Sequence, residues 1–246
     1  MQSVMDSESL LDNPIWNESL LDNPIWNALT TEHASLALGG DEARRYPAEI
    51  GPLSGMPAQS DPGYRVLRAL VPPGDVAVLF FDEVPRLPAG WTLVRGGTLA
   101  QMVAAPPQLA KIPNPAGVEL RMLTAADAPA MVELAKLTEP GPFRSRTLEL
   151  GTFFGILDAG RLLAMAGKRL HVPGFVEVSG VCTHPDARGR GYARLLMSRV
   201  MEEIVREGKT PFLHSFANNY GAIRVYEGLG FTLRRTFELA VVKNSE

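Results

Sequence analysis

The sequence predicts an α+β fold of the broad α/β class, with one mixed, mostly antiparallel sheet flanked by helices. Three observations predict it. Residues 153–157 and 162–170 are apolar runs joined by Asp158-Ala-Gly-Arg161, a hairpin pattern. Residues 175–181, reached through the Pro173-Gly174 turn, form a third apolar run leading into a loop rich in glycine and arginine. That loop opens an amphipathic helix over 193–205, where Leu196, Val200 and Ile204, with Met197 and Met201, form a core-facing stripe.

From the N-terminus, residues 8–17 and 18–27 are one decamer, Glu-Ser-Leu-Leu-Asp-Asn-Pro-Ile-Trp-Asn, in tandem. Ten residues are too few for a solenoid unit, so the copy points to in-frame duplication or an introduced feature rather than a ligand-binding repeat. The second copy is expected to enter the fold through a helix-like stretch at 25–38, leaving the first loosely docked. Residues 39–63, rich in Gly, Pro, Asp and Ser, read as an extended loop. Strand-like runs follow at 76–81 and 91–94, then an apolar stretch at 99–104. Pro106, Pro107, Pro113 and Pro115 bracket a linker. The expected division is an extension at 1–27, an N-terminal α/β region at 28–112, and a second domain at 117–246.

Past the linker, residues 118–123 read as a strand, and Thr124-x-x-Asp127 caps a helix through 137 that Pro140-Gly-Pro142 breaks. After the hairpin, the third strand and the amphipathic helix come an apolar run at 211–217, a short helix carrying Tyr226, a Gly230-Phe231 stop and a last strand.

Bulk properties remove several function classes. A chain of 246 residues, 46% hydrophobic and 21% charged, has ordinary globular composition. Its formal charge of -3 offers no basic stripe for nucleic acid. The single cysteine, Cys182, excludes an internal disulfide and suits a reducing cytoplasm. No apolar run approaches the roughly 18–20 residues that span a bilayer, and the start, with Asp6, Glu8 and Asp12, lacks a secretory pattern. The four histidines show no ligand spacing, so no metal is expected.

The loop Thr183-His-Pro-Asp-Ala-Arg-Gly-Arg-Gly-Tyr-Ala193 stands between strand and helix, a place to hold phosphate. Gly189-x-Gly191-x-x-Arg194 lacks the third glycine of a dinucleotide fingerprint, and no Lys-Ser/Thr pair follows. Arg188-x-x-Gly191-x-Ala193 does resemble the Gln/Arg-x-x-Gly-x-Gly/Ala signature of the GNAT superfamily, the acyl-CoA-dependent N-acyltransferases. A second landmark stands at the matching distance: Asn219-x-x-Ala222-x-x-x-Tyr226-x-x-Leu229-Gly230-Phe231. The wording of the loop is similar to the FR47-like branch, and the resemblance covers 117–246.

The resemblance implies the GNAT fold, with the upstream region a degenerate half-copy or a cap, and acetyl-CoA as donor. The implied activity is acetyl transfer to a primary amine of a small or amino-acid-like molecule, by direct attack in a ternary complex. Alternatives are transfer of a larger acyl group, as in glycine N-acyltransferases, or a non-catalytic acyl-CoA-binding module. Expected partners are a small-molecule amine and, as a candidate, a second copy of the chain; nucleic acid and membrane are not expected.

Roles then fall on particular residues. Glu177, eleven residues before Arg188, is the candidate general base, its pKa raised by the flanking valines; the alternative is an outward-facing acid. Tyr226 is the candidate acid for the departing thiolate, or else packs on the sheet. Gly180 marks a bulge that would free the amides of Val181, Cys182 and Thr183 for the pantetheine arm and the oxyanion. Amides of Arg188, Gly189, Arg190, Gly191, Tyr192 and Ala193 would take the diphosphate, and Asn219 would hold pantetheine or simply cap a helix. Cys182 has no partnered base and reads as inert packing, and His184 as a turn residue. Phe143, Arg144 and Arg146 could meet a carboxylated or aromatic acceptor, or be ordinary loop residues.

Overall fold

The computed structural model describes residues 17–104 and 112–245. The first decamer copy up to Trp16 and linker residues 105–111, with Pro106 and Pro107, lie outside the described residues.

The second decamer copy is part of the fold. Its Glu18–Asp22 forms a short 3-10 turn and its Pro24 opens α1, Pro24–Thr30, at the N-terminal position where a proline needs no N–H partner. Leu21, Ile25, Ala28 and Leu29 are fully or nearly fully buried. The helix expected through residue 38 stops at Thr30: the chain turns at His33 and makes only a second 3-10 turn, Ala34–Leu36. Two-residue strands β1 (Leu38–Gly39), β2 (Arg44–Arg45) and β3 (Ser54–Gly55) form a small antiparallel sheet. Then α2, Asp61–Leu70, begins on a Ser60 cap whose side chain accepts from the Gly63 amide.

The main sheet has eight strands in the order β4-β11-β5-β10-β9-β8-β7-β6. They are β4 (Val76–Phe81), β5 (Trp91–Val103), β6 (Glu119–Met122), β7 (Phe153–Asp158), β8 (Arg161–Val172), β9 (Phe175–Thr183), β10 (Thr210–Phe216) and β11 (Thr232–Asn244). Only β9 and β10 run parallel among its neighbours; the other six junctions are antiparallel. The mixed sheet expected from the sequence is therefore present.

Of the N-terminal strands, β4 and β5 do not pack beside this sheet but belong to it: β5 pairs with β10 along Leu99 to Val103 and with β11 over its whole length, and β4 forms the edge beyond β11. The strand-like run at 91–94 and most of the apolar stretch at 99–104 belong to one strand. β5 runs through Gly96 and Gly97, and at Gly97 a Cβ would stand 3.1 Å from the Phe216 ring. Glycine there admits the neighbouring aromatic rather than ending the strand.

Three further helices complete the layers: α3 (Ala128–Thr138), α4 (Tyr192–Arg206) and α5 (Tyr220–Glu227). Ahead of α3, Asp127 accepts from the Thr124 amide at 2.8 Å and takes a bidentate pair from Arg121. The side chains of α4 bury against one face of the sheet, with Val176, Val178, Leu213 and Phe231. The opposite face is covered by α3, packed on Met165 and Cys182, and by the second decamer with α1, packed on Leu170, Phe175 and Phe212. Among the described residues no helix is long and apolar enough to cross a membrane.

Candidate functional site

The site starts from one strand that changes partners midway. β9 pairs with β10 only at Phe175, Val176 and Glu177. Beyond Phe212, β10 stays with β5 as far as Phe216, while β9 stays with β8. The sheet splits between them. A bulge reinforces the split: Met165 opposes Cys182 but Gly167 opposes Ser179, so β9 carries one residue more than β8. Gly180 takes φ +62°, and a Cβ there would stand 2.8 Å from the Phe153 ring. The expected bulge at Gly180 thus exists, and glycine fits it both in conformation and in space.

Two clefts meet at the split, sharing Val181. The one of about 670 Å³ is lined by Val181, Cys182 and Thr183, by the loop at Arg188, Gly189 and Gly191, by Tyr192 and Ala193 at the start of α4, and by Gly221, Ala222, Arg224, Val225 and Gly228 of α5 and its end. Gly189 and Gly191 have φ of +75° and +77°, and a Cβ at either would meet nothing within 4 Å. Their left-handed backbone turns the loop so that the cleft stays open above it. Among the described residues the amides of Gly189, Arg190 and Gly191 have no hydrogen-bond acceptor, and those of Tyr192 and Ala193 open a helix of 15 residues. Such amides, backed by the helix dipole, suit a diphosphate. The Arg188 amide is already committed to the Pro185 carbonyl at 3.3 Å, and the Arg190 guanidinium to the Asp186 carbonyl at 3.2 Å. The anion-ready run therefore begins one residue later than the motif. His184 does serve the turn, its Nδ1 accepting from the Asp186 amide.

The second cleft, about 600 Å³, lies against the free end of β10, the loop after α3 and the N-terminal strands. Tyr226 lines it, packed edge-on against Phe231; burial raises the phenol pKa, while a hydrogen bond with Ser215 opposes the rise. A phenol that keeps its proton can donate one. Asn219 caps α5, accepting from the Ala222 amide at 3.3 Å, and faces this cleft rather than the anion-ready one. Phe143 and Arg144 line it as well. Arg146 does not: its guanidinium makes a bidentate pair with Glu149 at 2.6 and 2.8 Å outside the cleft. Cys182 turns its thiol into the packing under α3, where burial pushes it up to about 11 against bonds from Thr138 and the Met165 backbone.

Glu177 requires a correction. It occupies the last paired position before the split and is fully buried. Burial alone would raise its pKa, as the flanking valines suggested. Instead Arg169 grips it bidentately at 2.7 and 2.8 Å and His214 Nδ1 lies 2.7 Å away, so the carboxyl is held at about 2. The Leu170 amide adds a fourth contact at 3.4 Å. A carboxylate so satisfied is an ionised anchor at neutral pH and a poor proton acceptor.

Arg169, His214 and Ser215 line the second cleft and were missed from the sequence. The neglected signal was charge inside apolar strands: Arg169 in β8 and Glu177 in β9 sit among valines and leucines, where neither is tolerated unless paired. The His214 tautomer follows from its neighbours. Arg234 donates to Gln101 Oε1 at 2.9 Å, and Gln101 Nε2 donates to the Leu21 carbonyl and stands 3.1 Å from His214 Nε2. His214 Nε2 is therefore the acceptor and Nδ1–H donates to Glu177. Both ring nitrogens are occupied.

A sheet split at one parallel junction, with glycine-backed amides on one side of the gap and a tyrosine-lined cleft on the other, defines a class. It is that of proteins whose sheet parts at one parallel junction to join two clefts beside an anion-ready loop. Residues 153–240 match the family model described as FR47-like protein. A solved structure from Novosphingobium aromaticivorans, assigned to the GNAT family as an acetyltransferase, is 37% identical with TM-score 0.83, covering 92% of this chain and 99% of its own. The chain belongs to the GNAT family of acyl-CoA-dependent N-acyltransferases. A GCN5-related N-acetyltransferase from Kribbella flavida shares the fold at 18% identity and TM-score 0.60, over 89% of this chain and 95% of that one. A tandem GNAT protein from the clavulanic acid biosynthesis pathway shares it at 16% and 0.55, over 83% and 78%. No curated protein matches the chain.

Proposed function

We propose that the protein transfers an acetyl group from acetyl-CoA to the amine of a small molecule, by direct attack within a ternary complex. The observation that carries this reading is the meeting of the two clefts at Val181, between the glycine loop and Tyr226. Amides of Gly189, Arg190, Gly191, Tyr192 and Ala193 take the diphosphate of CoA. The free side of β9 at Val181, Cys182 and Thr183 takes the pantetheine arm and supplies an amide to the oxyanion. The amine nitrogen bonds to the acyl carbon, the carbon–sulfur bond breaks, Tyr226 protonates the sulfur, and the proton the nitrogen sheds on becoming an amide returns through water to the phenolate.

The nucleophile must shed a proton, since an ammonium near pKa 10 has no free electron pair. Glu177, gripped by Arg169, and His214, bonded through both nitrogens, are poor recipients. The proton passes to water in the open cleft instead. Glu177 acts as a positioning residue that fixes Arg169 and His214 at the fork.

The test is thiol release from acetyl-CoA across a panel of amines, together with a thermal shift by CoA. CoA at 100 times its dissociation constant stabilises a binding-competent protein by about 2.7 kcal/mol. Tyr226→Phe should keep that shift and lose about a hundredfold in turnover. A shift without turnover for any amine would make this a binding module; unaltered turnover in Tyr226→Phe would remove the acid.

A further inference from the structure

The cleft that carries Tyr226 has a one-sided charge. Four cations reach it: Arg95, Lys136, Arg144 and Arg169. Two are already neutralised, Lys136 by Glu133 at 2.8 Å and Arg169 by Glu177. Among the described residues Arg95 and Arg144 have no carboxylate partner; Arg95 lies over the Phe216 ring at 5.1 Å, and Arg144 is anchored through its backbone, its amide donating to Thr147 Oγ1 and its carbonyl accepting from the Thr147 amide. Against them stands one acid, Glu139, at the end of α3. The rest of the lining is mainly apolar, with Leu53 from just before β3, Val78, Phe80 and Leu99 from β4 and β5, and Leu239 and Val241 from β11. Two unpaired guanidiniums beside an apolar floor recognise an anion attached to a hydrophobic group.

We infer that the acceptor is an amino acid or close analogue, with a free carboxylate bound by Arg95 and Arg144 and an apolar side chain seated on the floor formed by β4, β5 and β11. This deepens the acyltransferase reading and rests on it. It also accounts for the N-terminal half, whose strands supply Arg95 and most of the floor, so specificity comes from the part of the chain outside the region matched by the family model. A volume of about 600 Å³ exceeds the needs of glycine and accommodates a side chain as large as leucine or phenylalanine.

The experiment uses the full chain with acetyl-CoA and four acceptors: leucine, leucinamide, isoamylamine and glycine. Leucine should be acetylated with the lowest KM. Leucinamide and isoamylamine, lacking the carboxylate, should show KM at least about tenfold higher, the usual loss of a hydrogen-bonded charge. Glycine, lacking the apolar group, should also be weaker. Arg144→Met and Arg95→Met should raise the KM for leucine about tenfold or more while leaving isoamylamine and the CoA-induced shift unchanged. Both side chains are exposed, so folding is not at stake. Titration of N-acetylleucine against its amide gives a readout independent of turnover, and the acid should bind tighter. Equal or better use of the uncharged amines, or methionine variants indifferent to leucine, would overturn the inference and leave acetyl transfer intact. If no acceptor releases thiol, the acyltransferase reading fails instead, a separate result.

Discussion

Lowering the pH should unfold this protein through two buried histidines that stack on each other. His33, just after α1, and His171, on β8, stack with ring centroids 5.0 Å apart. His33 Nδ1 bonds to the buried Tyr46 hydroxyl at 2.7 Å, and His171 Nε2 is buried without a partner among the described residues. Burial, mutual repulsion and the nearby Lys209 lower His33 to about 4, although Glu32 opposes them. Burial, Lys209 and Lys168 lower His171 to about 4, with Glu207 and Glu177 opposing. A histidine whose folded pKa lies below its unfolded value of about 6.5 binds fewer protons folded than unfolded. Its neutral form favours the fold fully above pH 6.5, and that advantage is lost as pH falls toward 4. A fall from 6.5 to about 4 corresponds to about 3 kcal/mol for each ring. The pair together loses less than twice that, because part of the lowering of His33 is repulsion from His171 itself. Even so, the loss is a large share of the roughly 5–15 kcal/mol typical of a folded domain. Glu177, held at about 2, acts in a different window: its contribution is full above the ordinary carboxylate range and lost only below that. Urea unfolding at intervals from pH 7.5 to 4.5 should show a plateau above about pH 6.5 and a fall in stability below it, and His171→Leu should remove about half the slope of that fall. A slope untouched by His171→Leu and His33→Leu, or a stability that rises as pH falls, would refute the reasoning.

Three more outcomes are expected. Gly191→Glu should abolish the CoA-induced thermal shift in a chain that still folds, because a carboxylate enters the phosphate space and φ +77° strains any side chain; calorimetry with CoA checks it. Glu177→Gln should cost about 3–5 kcal/mol in denaturant unfolding, since it leaves the Arg169 guanidinium buried beside a neutral amide. Leu21→Ala, which opens a hole where the second decamer meets the sheet, should cost about 2–5 kcal/mol. The same substitution at Leu11, in the first copy, should then be compared; equal losses would mean that both copies are docked.

The C-terminal half was legible because its determinants are local. Glycines at 189 and 191, the run opening α4, and the Asn219-to-Phe231 landmark each lie within one turn or one element. Gly180 was readable for the same reason, since an isolated glycine in a strand marks a bulge. The long-range parts were not. Nothing in residues 91–103 says that their neighbours will be β10 and β11, so two strands of one sheet read as a separate region. Glu177 looked raised because its sequence neighbours are valines, whereas its pKa is set by Arg169 on the adjacent strand and by His214, which is 37 residues away. Some misses were avoidable: Ser60-Asp-Pro-Gly is a helix-start pattern, and the apolar spacing of Tyr64, Leu67 and Val71 follows it into α2.

The position of β5 between β10 and β11 has a cost during synthesis. Its 13 residues leave the ribosome more than a hundred residues ahead of either partner; one edge stays open until β10 is made and the other until β11, the last strand. The nascent chain must carry an unsatisfied, largely apolar ribbon past the linker, the hairpin and α4 before it can close. High contact order of this kind slows folding and exposes sticky edges to other chains. Expression at low temperature, or with a holdase that shields extended segments, should therefore raise the yield of soluble protein more than any improvement to the C-terminal core.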